Sequence, residues 1–243
     1  MVLLALLWAS SLAPPMGWTS RCGVGAKFDD AAVRSIASAL VSTGLRDAGY
    51  AIVFLDRGGG ALEEDLRGFG LRFGDARQVA PCVAISWRSV SDLGASKPGV
   101  LAVGTGTLSG EEERTHFTLW VMLAAPLLLG HDVRQTPAES LTILKNAEVI
   151  AVNQDGLGKQ GYRAVKRGGD EVWMKPLSGG RWALAMFNLG ERPSQVTAIW
   201  RDLKLPALVR MRDLWKHENW GKVQGGFSHR IEPHGCALFL LTP

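Results

Sequence analysis

Apolar and polar positions along the chain follow two different periods. From about Pro14 to Asp155, short apolar runs alternate with helical patterns. Tyr50-Ala51-Ile52-Val53-Phe54-Leu55 is a continuous apolar run that ends in Asp56. Such a run suits a strand buried on both faces, as in parallel sheets. Before it, Val33, Ile36, Ala37 and Leu40 mark one face of a helix over Asp29–Leu45, with Asp29 or Asp30 as its N-cap. Val100–Val103 and Ala125–Gly130 read as further strands, and Ser109–Leu123 as a helix. That helix carries Glu111, Glu112 and Glu113 in its first turn, where the helix dipole favours them. Thr136-Pro137-Ala138-Glu139 predicts an N-cap, a Pro at the first helical position and a capping-box acid, opening a helix to Asn146. Alternation of strand and helix argues a parallel α/β architecture.

From about Gly158 the period becomes two. Glu171–Leu177, Arg181–Leu189, Gln195–Leu203, Ala207–Trp215, Phe227–Ile231 and Cys236–Leu241 are short alternating runs, most of them separated by Gly, Pro or Asn. This spacing predicts a small antiparallel β-sandwich. The expected division is a partial barrel over 14–157 and a sandwich over 158–243. Residues 1–13 form a short apolar run ending in small residues. It has the look of a secretory signal, though no Lys or Arg precedes it, and a plain N-terminal extension fits equally. The export reading places the protein in a secreted or extracytoplasmic setting. The run is too short to cross a membrane as a helix.

Composition narrows the classes. At 243 residues, 47% hydrophobic and 21% charged, the chain is globular, not a disordered tail, coiled coil or collagen-like rod. The net charge of +4 is spread, with its densest cluster at Arg163, Lys166 and Arg167, whereas nucleic-acid binders concentrate Lys and Arg on one stripe. Three cysteines, Cys22, Cys82 and Cys236, form neither a disulfide framework nor a zinc spacing. Nine Trp against two Tyr fits flat sugar-stacking faces or a Trp-rich core, and composition does not choose.

Several stretches resemble the clan D glycoside hydrolases, the family of α-galactosidases and α-N-acetylgalactosaminidases. Ala13-Pro14-Pro15-Met16-Gly17-Trp18 resembles the opening of its first barrel strand. Asp47-Ala48-Gly49-Tyr50 with Leu55-Asp56 resembles its first helix end and second strand, and Ser86-Trp87-Arg88 through Asp92-Leu93 its Trp-Arg segment. Glu111–Asp155 is the longest likeness, and Arg212-Asp213-Leu214-Trp215 with Pro233-His234-Gly235 resembles its terminal β domain.

The resemblance implies a (β/α)8 barrel followed by an antiparallel β domain, and retaining hydrolysis of terminal α-galactosides or α-N-acetylgalactosaminides, with no metal or organic cofactor. Retention uses two carboxyl groups ~5–5.5 Å apart, one a nucleophile and one an acid/base. By resemblance Asp92 is the acid/base, while Arg88 and Asp56 contact the sugar. Taken without the family, Asp92 is a loop-capping acid and Arg88 a surface cation.

Departures from the family pattern are as informative. Arg57 stands where a second sugar-gripping acid belongs, a donor in place of an acceptor. Arg21 occupies the place of a stacking Trp, and Gly58 replaces a Cys, which leaves Cys22 without the partner the family implies. Lys97-Pro98-Gly99 stands for Asp-Pro-Asp. The Lys-Tyr/Phe-Asp motif that carries the nucleophile has no counterpart. Asp75, in Leu71-Arg72-Phe73-Gly74-Asp75, is the one stand-in, but that segment fits a later Cys-Glu-Trp-Gly segment better, with Arg72 in the place of a sugar-binding Glu.

Length makes the same point. Ala13–Asp155 offers about 140 residues, where a complete barrel takes ~250. The expectation is a barrel of about six strands, with two units lost between Asp56 and Phe69 and a smaller loss between Asp92 and Pro98. An open parallel edge invites pairing with another chain, such as a second copy in a homodimer. The expected function is an α-galactosidase-like hydrolase with impaired catalysis. The alternative is a non-catalytic sugar-binding or interaction remnant.

Overall fold

The computed structural model describes residues 13–20, 29–55, 60–75 and 99–243. They form two compact units: Pro15–Trp120 with Pro126–Ala147, and Val121–Ala125 with Glu148–Pro243 and the residues up to Pro14.

The first unit is α/β. Its elements are β1 (Met16–Thr19), α1 (Asp30–Ser42), β2 (Ile52–Leu55), α2 (Gly60–Gly68), β3 (Arg72–Asp75), α3 (Gly110–Met122, whose last residues pass into the second unit), β4 (Leu127–Leu129) and α4 (Ala138–Leu144). The sheet runs β3-β2-β1-β4, all parallel, and Leu101 adds a parallel bridge to Leu129. The apolar runs are buried as their composition demands: Trp18, Val53, Phe54, Leu127 and Leu129 are at most 2% exposed. Helix α1 buries Val33, Ile36, Ala37 and Leu40. Asp29 is its N-cap, accepting the Ala32 amide at 2.8 Å.

The sheet order relocates the missing part of the barrel. The stretch from Asp56 to Phe69, expected to have lost two units, carries α2 and leads straight into β3, which pairs with β2. Outward from β1 run β2 and β3 on one side, and β4 and Leu101 on the other. In an eight-strand ring these are the first three and last two members, because sequential strands are neighbours and the last closes on the first. The shortfall therefore falls between Asp75 and Gly99. Residues 76–98 are fewer than the roughly 30 that one strand–helix–strand unit takes. The architecture is a (β/α)8-type barrel that is incomplete, joined in sequence to a β-sandwich.

A second expectation fails at α4. Pro137, not Thr136, is the N-cap residue, and no side chain caps the helix. The Thr136 hydroxyl instead donates to the Val133 carbonyl at 3.0 Å. The capping box lies at α3, where Ser109 and Glu112 exchange bonds: Ser109 N–H to Glu112 Oε2 at 2.9 Å, and Glu112 N–H to Ser109 Oγ at 3.4 Å.

The second unit holds α5 (Ala147–Asn153, whose first residue belongs to the other unit) and eight strands. These are β5 (Tyr162–Arg167), β6 (Asp170–Leu177), β7 (Arg181–Asn188), β8 (Ser194–Ile199), β9 (Leu208–Asp213), β10 (Glu218–Gln224), β11 (Gly226–Ile231) and β12 (Cys236–Thr242). A six-stranded antiparallel sheet, β10-β9-β12-β7-β6-β5, packs against the pair β11-β8. Alternate residues Val172, Met174, Leu184, Met186, Val209, Met211 and Phe239 meet Val196, Ala198, Trp200 and Ile231 in one core. Strands β5 and β10, the two edges of the six-stranded sheet, carry no sustained apolar alternation. β5 is mostly exposed and basic, as edges that resist aggregation are, and β10 is broken by a bulge at Gly221, where φ is +73°.

Lys175 of β6 is 1% exposed, and its ammonium donates to the Val121 carbonyl at the last turn of α3, 2.9 Å away. Burial pulls its pKa from the usual 10.5 down to about 8. The unfolded chain therefore holds more protons than the folded one between these values, and stability rises with pH across that window. Urea midpoints stepped from pH 7.5 to 9, below the range where buried Tyr50 titrates in the unfolded chain, are expected to climb, and Lys175→Met to abolish the climb. A parent midpoint that stays flat contradicts this.

Candidate functional site

In a (β/α)8-type sheet the chemistry gathers at the carboxyl ends of the strands. Here those ends are Thr19, Leu55, Asp75 and Leu129. Asp75 closes β3 in register with Leu55, so its backbone stands beside the strand that leads to Asp56. Arg72 does not fit the place of a sugar-binding Glu: it starts β3, opposite Ile52, at the amino end. Asp56, Arg88 and Asp92 lie outside the described residues, as do Arg21, Cys22, Arg57 and Cys82. The structure thus brings Asp75 to the expected end of the sheet and leaves the other three candidates where the sequence put them.

The described carboxyl-end region is a set of buried polar residues. Trp18 of β1 donates its indole N–H to the His131 carbonyl at 2.8 Å, which pins the turn after β4 against the central strand. His131 Nε2 lies 2.9 Å from Thr136 Oγ1. Asp132 takes three bonds from Arg134, through the backbone N–H and through Nε and Nη2 at 2.7 and 2.6 Å. These bonds hold the Asp132 carboxyl below the ordinary carboxylate range.

The segment after Leu101 is held by α3. Glu113, 4% exposed, accepts the Gly104 amide at 2.7 Å on one oxygen and the Ser140 hydroxyl at 2.8 Å on the other. His116 Nε2 accepts the Ala102 amide at 3.1 Å, and its ring stacks on Trp120 with centroids 3.7 Å apart. Burial drives the pKa of His116 down to about 3 and that of His131 to about 4, so both are neutral imidazoles at physiological pH.

This geometry assigns structural work, not catalysis, to these acids. Both oxygens of Glu113 are occupied by donors that fix the fold, and Asp132 is neutralised by Arg134. Among the described residues no group of three His, Cys, Asp or Glu is placed to hold a metal ion. Sequence reasoning passed over Glu113, His116, His131 and Ser140 as site-shaping residues. The first-turn acid at Glu113 was visible, but its partners at Gly104 and Ser140 are brought to it only by the fold.

Comparison with known proteins assigns the scaffold. Residues 167–241 match the family described as the alpha galactosidase C-terminal beta sandwich domain, and residues 89–155 the family described as alpha galactosidase A. The chain belongs to the α-galactosidase family of clan D glycoside hydrolases. An alpha-galactosidase of Coffea arabica is 44% identical over 146 residues, 59% of this chain and 39% of the coffee protein. Alpha-galactosidase A of Homo sapiens is 42% identical over 98 residues, 40% of this chain and 23% of the human one. The chain thus spans about two fifths or less of these curated relatives.

Solved structures of the family agree on the fold. Alpha-galactosidase I from Mortierella vinacea superposes with a TM-score of 0.79 at 19% identity, covering 96% of this chain and 97% of that one. A β-L-arabinopyranosidase from Geobacillus stearothermophilus reaches 0.82 at 17% identity, with 100% and 99% covered. Among the described residues no helix of this family member is long and apolar enough to cross a membrane.

Proposed function

We propose that this chain keeps the scaffold of a retaining α-galactosidase but hydrolyses terminal α-galactosides or α-N-acetylgalactosaminides poorly or not at all. One observation carries the reading. The sheet supplies the first three and last two members of an eight-strand ring, and the residues between Asp75 and Gly99 are too few for the three strand–helix units between them. In this reading the strand with the nucleophile is among those missing. Asp92 is then an acid/base without a partner carboxylate, and the covalent glycosyl-enzyme step has no nucleophile. Asp75 stands at the carboxyl end of β3 without the Lys-Tyr/Phe that accompanies the nucleophile in the family. Asp56 and Arg88 remain as sugar-contacting groups, and the ligand class is a terminal α-linked galactoside.

The test is release of nitrophenol from the nitrophenyl α-galactoside at mildly acid pH. The expected rate is the buffer background, unchanged by Asp92→Asn. Turnover at family-typical rates that Asp92→Asn abolishes would overturn the proposal. Calorimetric titration with galactose separates the readings: heat without turnover identifies a non-catalytic sugar-binding protein.

A further inference from the structure

The geometry points to an acid-released clasp: Glu113 and His116, one turn apart on α3, hold the segment Leu101–Gly106 at the edge of the described sheet, and the acceptor atom of His116 is one that a proton would occupy. This device is independent of catalysis and rests on the described scaffold alone.

The clasp grips backbone, not side chains. Ala102 N–H donates to His116 Nε2, and Gly104 N–H donates to Glu113 Oε1. A backbone amide shielded from water needs an acceptor, and here both acceptors are side-chain atoms of α3. The Ala102 bond dictates the tautomer of His116: the lone pair lies on Nε2, so the ring proton lies on Nδ1. His116 Nδ1 has no hydrogen-bond partner. Imidazolium has no acceptor atom. A proton added at Nε2 would face the Ala102 N–H across 3.1 Å, donor against donor, and would leave that amide without a partner.

Among the described residues, the acid nearest to His116 along α3 is Glu113, and no carboxylate bonds to the His116 ring. On α3 His116 is flanked by Glu113, whose two oxygens are engaged, and by the neutral Trp120. From α4 comes the hydroxyl of Ser140, and the segment over Ala102–Thr105 carries no titratable side chain. His131 lies beyond Gly104, where an added Cβ would meet its Nε2 at 2.9 Å, and Asp132 beside it is bound by Arg134. Burial is the sole cause that lowers the basicity of His116. The closed segment therefore excludes the proton that the open segment accepts.

The sign follows from linkage. An open His116 titrates near its ordinary 6.5, and the closed one near 3. Closure is complete above the open value and is lost as pH falls below it, about tenfold per pH unit for one proton taken up on opening. Among the described residues the segment lies on the sheet edge: Leu101 is bridged to Leu129 and donates its amide to the Leu128 carbonyl. Its release uncovers β4, a run of three leucines.

Amide hydrogen exchange of the full chain, corrected for intrinsic rates and read between pH 7 and 4.5, tests the clasp. The opening constant of Ala102 and Gly104 is expected to rise about tenfold per pH unit below pH ~6.5, while Leu184 and Phe239 in the sandwich core stay constant. His116→Gln keeps an acceptor oxygen but does not titrate, so its Ala102 profile is expected to be flat. A flat parent, an unchanged slope in His116→Gln, or all core amides opening together overturns the proposal. If that variant does not fold, nitrogen chemical shifts of His116 in the parent decide: the Nδ1–H tautomer at neutral pH supports the clasp, and the Nε2–H tautomer refutes it.

Discussion

Gly17→Ala is expected to leave the chain insoluble or to lower its melting temperature by several degrees. Gly17 lies in β1, the strand that joins both halves of the parallel sheet, registered with Ile52 on one side and Leu128 on the other. A Cβ placed there would stand 1.9 Å from the Ile52 carbonyl oxygen and 2.8 Å from its carbon. Both are backbone atoms of the paired strand, so no side-chain rotation relieves the clash. Relief requires opening the β1–β2 ladder. Overpacking of flexible cores costs about 1–3 kcal/mol, and a clash with a paired backbone lies at or above the upper end. For a chain of this size each kcal/mol moves the melting point by about 2–4 °C. Gly110→Ala is the control, because a Cβ there meets nothing within 4 Å. A Gly17→Ala protein that melts within a degree of the parent would show the β1–β2 register to be wrong.

Trp200→Ala is expected to cost about 3–5 kcal/mol, lost from the sandwich transition. Trp200 is fully buried just after β8 and belongs to the core shared by the two sheets. Its indole N–H donates to the Val223 carbonyl of β10 at 3.2 Å, and its backbone amide bonds to the Gly225 carbonyl at 3.0 Å. Truncation removes the largest side chain of the small-sheet side and leaves the Val223 carbonyl short of a donor. Trp200→Phe retains most of the apolar volume and is expected to cost less than half as much. Urea unfolding of the three proteins gives both numbers. Equal loss in the Phe and Ala variants would assign the effect to the hydrogen bond and not to packing.

Reading the sequence succeeded wherever a period was sustained. The stripe Val33, Ile36, Ala37 and Leu40 announced α1, and the paired alternation of Leu184 with Met186 and Ala237 with Phe239 announced the sandwich core. It failed at edges and crossings. β5 and β10 are mostly exposed and are rich in charge or carry glycine, so no sustained apolar alternation marks them. The capping signature at Thr136-Pro137 went unused because Thr136 turned back to Val133 and His131. Of the candidate site residues, Asp75 gained a position from the sheet register, while Asp56, Arg88 and Asp92 remain assignments by resemblance.

Local propensity and periodicity were enough for the sequence to determine the helices α1 and α3, the inner strands of the sandwich, the change from α/β to all-β near Gly158 and the deficit in barrel length. Those properties depend on neighbours within a few positions or on simple arithmetic. Only the tertiary structure decided which strands flank β1, and hence that the deficit lies between Asp75 and Gly99 and not after Asp56. It alone also decided that Glu113 and His116 serve as backbone acceptors. Strand order and buried hydrogen-bond pairing join residues far apart in the chain, and no local pattern encodes which donor a buried acceptor will meet.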